Sequence, residues 1–310
     1  GILLGNNGTV MIIILEEAIQ NNTLVIPNTV TTLANGQIVQ YTQITTVEIP
    51  ASVTNINSQF ITNNITNVII DSNNQKYETY ENAIYTKASF GEDIQMIRYY
   101  GNENTVTVRE GTKIINEFCF SNKNLSKINL PDSLETIKLQ AFNLCNNLKS
   151  ITLGTNVNSF DSLSIYNSGI EEIIIDENNP NYSVREGAIC NGEVSKALYN
   201  KDGSIFISPI KPLGTIQTYE IPSNVNGTEI KGIADYAFHG QHQMTNITIP
   251  NTIEKIGASF NYCTSLARIE IPSSVTEIYT SCFGNSNNLR EIIIHNTEGS
   301  IQGQPWGCIY

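Results

Sequence analysis

The chain is predicted to be a β-dominated repeat solenoid, a stack of short coils that each add one strand to a parallel ladder. Three observations predict it. An apolar-x-apolar triplet returns every 22 or 23 residues, a longer insertion returns at an offset of 105, and the 310 residues include 47 Ile and 40 Asn. Ile suits strands and buried faces, whereas Asn suits tight turns. Charged residues are only 15% of the chain, so its polar half is amide and hydroxyl, a composition for many turns and few solvated helices.

Taken in chain order, residues 1–44 follow the pattern loosely and are expected to be an N-terminal cap or a degenerate first coil. The run Val10-Met11-Ile12-Ile13-Ile14-Leu15 reads as a strand, because a membrane-spanning helix needs about 20 apolar residues. Repeats then open at Val47-Glu48-Ile49-Pro50 and Val68-Ile69-Ile70, and after an interruption at Val106-Thr107-Val108. A full copy starts at Ile128-Asn129-Leu130-Pro131 and continues through Leu134, Ile137, Phe142, Cys145 and Leu148; openings at Ile151-Thr152-Leu153 and Ile173-Ile174-Ile175 follow. Beyond a second interruption come Tyr219-Glu220-Ile221-Pro222, then Ile247-Thr248-Ile249-Pro250 with Ile253, Ile256, Phe260, Cys263 and Leu266, then Ile269-Glu270-Ile271-Pro272, and Ile292-Ile293-Ile294.

The two interruptions share a motif. Asp71-Ser72-Asn73-Asn74-Gln75-Lys76-Tyr77 before Ala83-Ile84 matches Asp176-Glu177-Asn178-Asn179-Pro180-Asn181-Tyr182 before Ala188-Ile189. In each, a second apolar run follows (Ile94 to Ile97, Ile205 to Ile207), so β-hairpin insertions are expected at about 71–105 and 176–217. The solenoid as a whole is assigned to 45–295 and a C-terminal cap, closed by Trp306, to 296–310.

The physics of so short a unit fixes the architecture. A triplet of strand period 2 turns both apolar side chains to one face, and one strand cannot bury that face alone. Stacked coils bury it together in a continuous core. Pro50, Pro131, Pro222, Pro250 and Pro272 end the strands, since proline has no N–H to donate. Too few residues remain per coil for a long helix. The residue before each Leu position, Asn64, Asn124, Asn147 or Asn288 in four copies, is expected to be left-handed turn backbone.

The pattern I-x-I-P-x-x-V-x-x-I-x-x-x-A/S-F-x-x-C-x-x-L-x-x-I resembles the leucine-rich repeats of BspA-like bacterial surface proteins, over roughly residues 45–295. The ending Gly303-Gln304-Pro305-Trp306-Gly307 is similar to the G-x-P-W-G that follows the last repeat in that family. The copies near 106 and 157 depart from it, lacking the proline and part of the Phe/Cys signature. The resemblance implies a leucine-rich-repeat solenoid, a right-handed superhelix with a parallel β-ladder on the concave face and short turns or 3-10 turns on the other side. It also implies a secreted or cell-surface protein of bacteria, with an export signal removed from the chain as given, acting in protein–protein or protein–glycan interaction such as adhesion to host extracellular components. A structural spacer or display module of the cell envelope is the alternative.

The remaining chemistry is read residue by residue. A net charge of −12, with Lys and Arg scattered singly, argues against a nucleic-acid partner; a monomer without membrane insertion is expected. Cys119, Cys145, Cys190, Cys263, Cys282 and Cys308 form no C-x-x-C pair, and several occupy slots that hold Ala or Ser in sister coils, so they read as small buried thiols. His239 and His242 lack a third ligand nearby, the pairs Glu16-Glu17 and Glu171-Glu172 read as solvated surface, and no nucleophile motif such as G-x-S-x-G occurs. No enzyme activity, cofactor or metal is therefore expected. Binding is expected on the concave face, at Glu48, Asn67, Lys127, Asn129, Ser150, Thr152, Glu172, Asn246, Thr248, Arg268, Glu270 and Glu291, interrupted by Ile69, Ile174 and Ile293. A second candidate surface gathers Tyr77, Tyr80, Tyr85, Tyr99, Tyr100, Tyr182 and Tyr199 on the insertions, with the favoured alternative that some of these tyrosines cap the core.

Overall fold

The computed structural model describes residues 2–5, 10–14, 19–211 and 214–295. The expected cap at 296–310, with Trp306 and Cys308, and the pair Glu16-Glu17 lie outside the described residues. The chain divides into two compact units, Gly1–Leu148 with Ser159–Ser164, and Lys149–Asn158 with Ile165–Tyr310. Each is a leucine-rich-repeat β-solenoid.

In the first unit the triplets form the parallel strands Thr23–Val25, Thr46–Ile49 and Asn67–Ile70, with Thr46 beside Asn67 and Val47 beside Val68. Thr105–Thr107 and Lys127–Asn129 pair in the same way. Leu24, Val47, Ile49 and Val68 are buried while alternate residues face out, the one-faced burial that period 2 demands. The second unit repeats the arrangement in Ser150–Leu153 with Glu172–Ile175, Thr218–Glu220 with Asn246–Thr248, and Arg268–Ile271 with Glu291–Ile294.

On the other side of each coil, where short turns or 3-10 turns were expected, 3-10 turns do occur at Ser58–Phe60 and Ser162–Ile165, and the chain also forms a second parallel ladder of two-residue strands. In the first unit these are Thr32–Leu33 with Asn55–Ile56, and Ile114–Ile115, Thr136–Ile137 and Ser159–Phe160 in a row. In the second they are Gly232–Ile233, Lys255–Ile256 and Glu277–Ile278. The second residue of each, isoleucine except for Leu33 and Phe160, is buried, and its neighbours pair with the adjoining coil, as Lys138 N–H does with Ile115 O at 3.0 Å. A strand of two residues shows no alternation, so periodicity cannot reveal it.

Between the ladders runs a column of phenylalanines. Phe120 stacks on Phe142 at 5.4 Å in the first unit; in the second, Phe206, Phe238, Phe260 and Phe283 stack in succession at 5.4, 5.5 and 5.8 Å, with rings within 9° of parallel. The Phe-bearing turns bond coil to coil, for example Phe120 N–H to Ala141 O at 2.8 Å and Phe260 N–H to Cys282 O at 2.8 Å. The Cys slot continues this: Cys145 Sγ donates to Phe120 O at 3.1 Å, Cys263 Sγ to Phe238 O at 3.2 Å, and Ser286 Oγ to Phe260 O. Burial raises these thiols, Cys145 to about 11 and Cys119, Cys263 and Cys282 to about 12, which keeps them protonated and unreactive at neutral pH.

The left-handed positions are not the asparagines expected. Asn64, Asn124, Asn147 and Asn288 have ordinary backbone; one set of positive-φ residues flanks the phenylalanines, at Phe118, Asn122, Gln140, Leu144, Tyr236, Tyr262, Ser281 and Asn285, while Asn21, Asn22, Asn82, Asn167, Asn191 and Asn226 take left-handed backbone in other turns. Asn147 and Asn288 instead bridge coils through their amides, to Asn124 Oδ1 and to Thr264 O. The amide excess thus serves inter-coil side-chain bonding as well as turns.

Each insertion is pinned by one buried asparagine. The Asn74 amide donates to Pro50 O and Val53 O at 3.0 and 2.9 Å and accepts from the N–H groups of Lys76 and Tyr77. Asn179 does the same with Gly154 O, Val157 O, Asn181 N–H and Tyr182 N–H. From these anchors rise the antiparallel strands Tyr77–Tyr80, Ala83–Thr86 and Gln95–Tyr99 in the first unit, and Tyr182–Cys190, Glu193–Asn200 and Ile205–Pro209 in the second.

Candidate functional site

The outward residues of the first ladder are placed by strand pairing alone. Thr46 stands beside Asn67 and Glu48 beside Ile69; Lys127 follows Thr105, and Asn129 follows Thr107, to which its amide donates at 2.9 Å. In the second unit Ser150 stands beside Glu172 and Thr152 beside Ile174; Thr218 pairs with Asn246, Glu220 with Thr248, and Arg268 with Glu291. Glu48 is half-buried and the other eleven predicted positions are exposed. The units differ in what else lines this face. In the first, a groove of about 250 Å³ is walled by Val25, Glu48, Ile69 and Asp71, and it is partly apolar. In the second, a groove of about 580 Å³ is lined by Asn246, Thr248, Arg268, Glu270, Ser273 and His295.

The larger groove carries a chain of alternating charge. Arg268 Nε pairs with Glu291 at 2.9 Å while Arg268 Nη2 pairs with Glu270, whose other oxygen lies 3.1 Å from His295 Nε2. Hydrogen bonds from His295 and Arg268 hold the Glu270 carboxyl below its ordinary value. His295 is brought in because Glu291–Ile294 ends the ladder beside Glu270. Pairs this exposed contribute about 0–1 kcal/mol each, so the network orders donors and acceptors without stabilising the fold much.

The second candidate surface dissolves. Tyr77, Tyr85, Tyr99, Tyr100, Tyr182 and Tyr199 are buried, and only Tyr80 of the seven stands out, at 43% exposure. Their hydroxyls explain it: Tyr77 OH donates to Thr54 O at 3.3 Å and Tyr182 OH to Asn158 O at 3.2 Å, so these rings close the coil beneath the insertion. Tyr80 packs edge-on against Tyr85, and the Arg109 guanidinium lies over both rings while pairing with Glu78 at 2.6 Å.

Arg98 and Lys123 of the first unit went unremarked in the sequence, yet both are 4% exposed. Arg98 donates to the carbonyls of Ile61, Phe118, Cys119 and Ser121 and to Asn63 Oδ1, and burial pulls it down to about 10. Lys123 takes the slot of Cys145 one coil earlier, 5.7 Å from the Tyr99 ring centre; burial and the Arg98 charge pull it down to about 8. The offset alignment of coils, with a cation in a Cys slot, is the signal that could have found it.

Among the described residues no three His, Cys, Asp or Glu side chains converge as a metal site, and no helix is long and apolar enough to cross a membrane. His239 is ringed by tyrosines instead of ligands.

The family model described as "BspA type Leucine rich repeat region" matches the chain in six copies, over residues 15–109, 78–188 and 215–305. Comparison with curated proteins returned no significant match. Solved structures similar to the chain include a leucine-rich repeat protein from Eubacterium ventriosum (17% identity, TM-score 0.46), with 85% of this chain aligned to 64% of that one. The chain thus spans less than two thirds of that protein. The pneumococcal vaccine antigen PcpA aligns at 16% identity and TM-score 0.46, over 95% of this chain and 81% of its own. A leucine-rich cell surface protein from Faecalibacterium prausnitzii aligns at 17% identity and TM-score 0.41, over 96% and 93%.

Proposed function

We propose that this chain, which belongs to the BspA type leucine-rich repeat family, is a non-enzymatic binding module, displayed on or secreted from a bacterial cell, that takes an extracellular protein on the outward face of its first ladder. The observation that carries the reading is the register. Residues such as Asn246, Thr248, Arg268, Glu270 and Glu291 stand in rows fixed by strand pairing, exposed, while the core beneath them is complete without their side chains. A surface preorganised in this way lowers the ordering cost of a partner that binds across several coils. Exposed Ile69 and Ile174, at 48% and 45%, supply apolar contact between the polar rows.

The test is surface plasmon resonance of the intact chain against immobilised extracellular-matrix proteins. Binding at tens of micromolar or tighter is expected, weakened about tenfold by Arg268→Ala combined with Glu270→Ala. Absence of binding across the panel, or binding indifferent to that double variant, would return the chain to the alternative of a spacer that displays another module.

A further inference from the structure

A different surface gathers on the Phe-bearing turns of the second unit. The His239 ring lies 5.4 Å from Tyr166, 5.8 Å from Tyr236 and 5.2 Å from Tyr262, at interplanar angles of 68°, 77° and 59°. Tyr236 and Tyr262 keep 41% and 45% of their surface exposed, and Tyr279 adds another ring at 47%.

The scaffold does not ask for rings there. The slot two residues before the spine Phe holds Tyr236 here but Gln140, Ala258 and Ser281 in other coils, with a ring again only at Phe118 of the first unit; the slot two after it holds Tyr262 here but Asn122, Leu144, Gly240 and Asn285 elsewhere. Both tyrosines sit in the left-handed backbone that these slots share with sister coils, φ +59° and +57°, a region costly for bulky L residues. Tyr166 presses on the turn itself: a Cβ on Gly240, φ +72°, would stand 2.8 Å from its ring.

The polar character of the cluster is also specific. His239 Nδ1 is buried with no hydrogen-bond partner among the described residues. Burial and neighbouring His242 hold this imidazole below its ordinary value, so at neutral pH it is an uncharged ring with one donor and one acceptor. Burial and Tyr262 push the Tyr166 phenol up, and among the described residues the ring contacts of Tyr166, Tyr236, His239 and Tyr262 are with one another and involve no lysine or arginine. Asp235, beside Tyr236, is engaged by the Ala258 N–H at 2.7 Å. An anion would find no cation here, and an ammonium group would find the centre of the ring cluster already filled by imidazole.

We propose that Tyr166, Tyr236, His239 and Tyr262 form a carbohydrate-binding platform for a neutral sugar, whose C–H face stacks on the exposed tyrosines and whose hydroxyls pair with the phenol and imidazole edges. Flat aromatic faces with polar rims and no net charge match a pyranose, which is apolar on one face and hydroxylated at its edge. The site is separate from the first ladder and goes beyond the protein-binding reading.

Affinity electrophoresis of the intact chain through gels cast with xylan, soluble starch or galactomannan tests it, with heparin as an anionic comparison. Retardation by at least one neutral polysaccharide is expected. It should weaken about tenfold in the Tyr236→Ser, Tyr262→Asn double variant and again in His239→Asn, and stay unchanged in Arg268→Ala. Ser281, Asn285 and Asn261 already occupy those slots in sister coils, so the substitutions suit the backbone; if the double variant melts early, His239→Asn decides alone. No retardation in any neutral gel, retardation untouched by these substitutions, or retardation by heparin alone overturns the proposal. Loss of matrix-protein binding in the double variant, with no sugar binding in the parent, reassigns the surface to a protein and equally overturns it.

Discussion

The two insertions begin alike and end differently. Asn74 and Asn179 each donate two hydrogen bonds into the preceding coil and accept two from the start of their own insertion, and Tyr77 and Tyr182 each reach a backbone carbonyl below. Beyond these anchors the first insertion spends short strands and joins only the second ladder, through Gln95–Tyr99 beside Ile114–Ile115. The second uses strands of nine and eight residues. Its Tyr182–Cys190 pairs with Thr218–Glu220 of the first ladder while Ile205–Pro209 pairs with the second, so one eight-stranded sheet links both. Their interiors diverge too: Arg98, opposite Ile84, corresponds to Ser208, opposite Leu198. The anchor therefore decides where an insertion leaves the coil, and strand length decides whether it closes one ladder or both. The first unit keeps two buried cations where the second has a serine hydroxyl and the amide of Gln241.

The comparison breaks most visibly at what the units share. Phe260→Ala removes a ring stacked on both sides and fully buried; a loss of about 3–5 kcal/mol in urea denaturation is expected, and Phe120→Ala in the other unit should match it. A near-neutral result at either would show that the column does not carry that unit's core. Asn74→Ala and Asn179→Ala come next. Each removes two donated and two accepted bonds of a buried amide, worth about 2–4 kcal/mol, and the two losses should be close because the bond sets agree apart from the Asn181 amide, which also reaches Val157 O at 3.2 Å. A loss at one position only would show that the longer sheet of the second insertion, and not the anchor, holds it.

Much of this was legible in the sequence for a simple reason: strand, proline, Phe and Cys slots recur because every coil meets the same neighbours. What failed to show is what a repeat cannot encode. Two-residue strands such as Lys255–Ile256 have no period. The left-handed turns fall at Leu144, Tyr236 and Tyr262, residue types that announce no such backbone, while Asn64 and Asn124 advertise it and lack it. The insertion tyrosines could be read as a surface or as a cap on the core, and the sequence could not say which of them cap it; Tyr85 and Tyr199 do. Of the candidate ladder residues, the row positions followed from period 2, but the link of Arg268 through Glu270 to His295 needed the register between coils. The ring cluster at His239 draws on Tyr166, which lies a whole insertion earlier in the chain.

The buried cations give a third, smaller contrast, visible through pH. Lys123 falls from an ordinary 10.5 to about 8 in the fold, facing Arg98, Glu103, Cys145 and the Tyr99 ring. Below pH 8 it is protonated folded and unfolded, and the cost of burying the charge is borne in full. Above pH 8 the folded chain gives up its proton first, the unfolded chain holds more protons, and stability rises with pH. Buried thiols raised to about 11 and 12 act in the opposite sense once pH passes their ordinary 9, which leaves pH 8–9 as the window for Lys123. Lys123→Met should therefore stabilise the chain at pH 7 by about 1–2 kcal/mol and flatten that window. An unchanged slope would mean that Lys123 is not the group responsible.

The smallest expected effect concerns the charges that run between coils. Lys149 and Glu171, 3.0 Å apart, and Lys255 and Glu277, 3.0 Å apart, sit one coil from each other in the second unit, and Lys113 pairs with Glu135 across one step of the first. Each pair is at the surface, where solvent and salt screen the attraction. Lys149→Ala, Lys255→Ala and Lys113→Ala should each leave the denaturation midpoint nearly where it is, with any shift shrinking further in high salt. A larger loss at Lys113 alone would mean that a coil next to the short insertion leans on its surface pair. The longer insertion, by tying both ladders into one sheet, would then have relieved its own neighbours of that need.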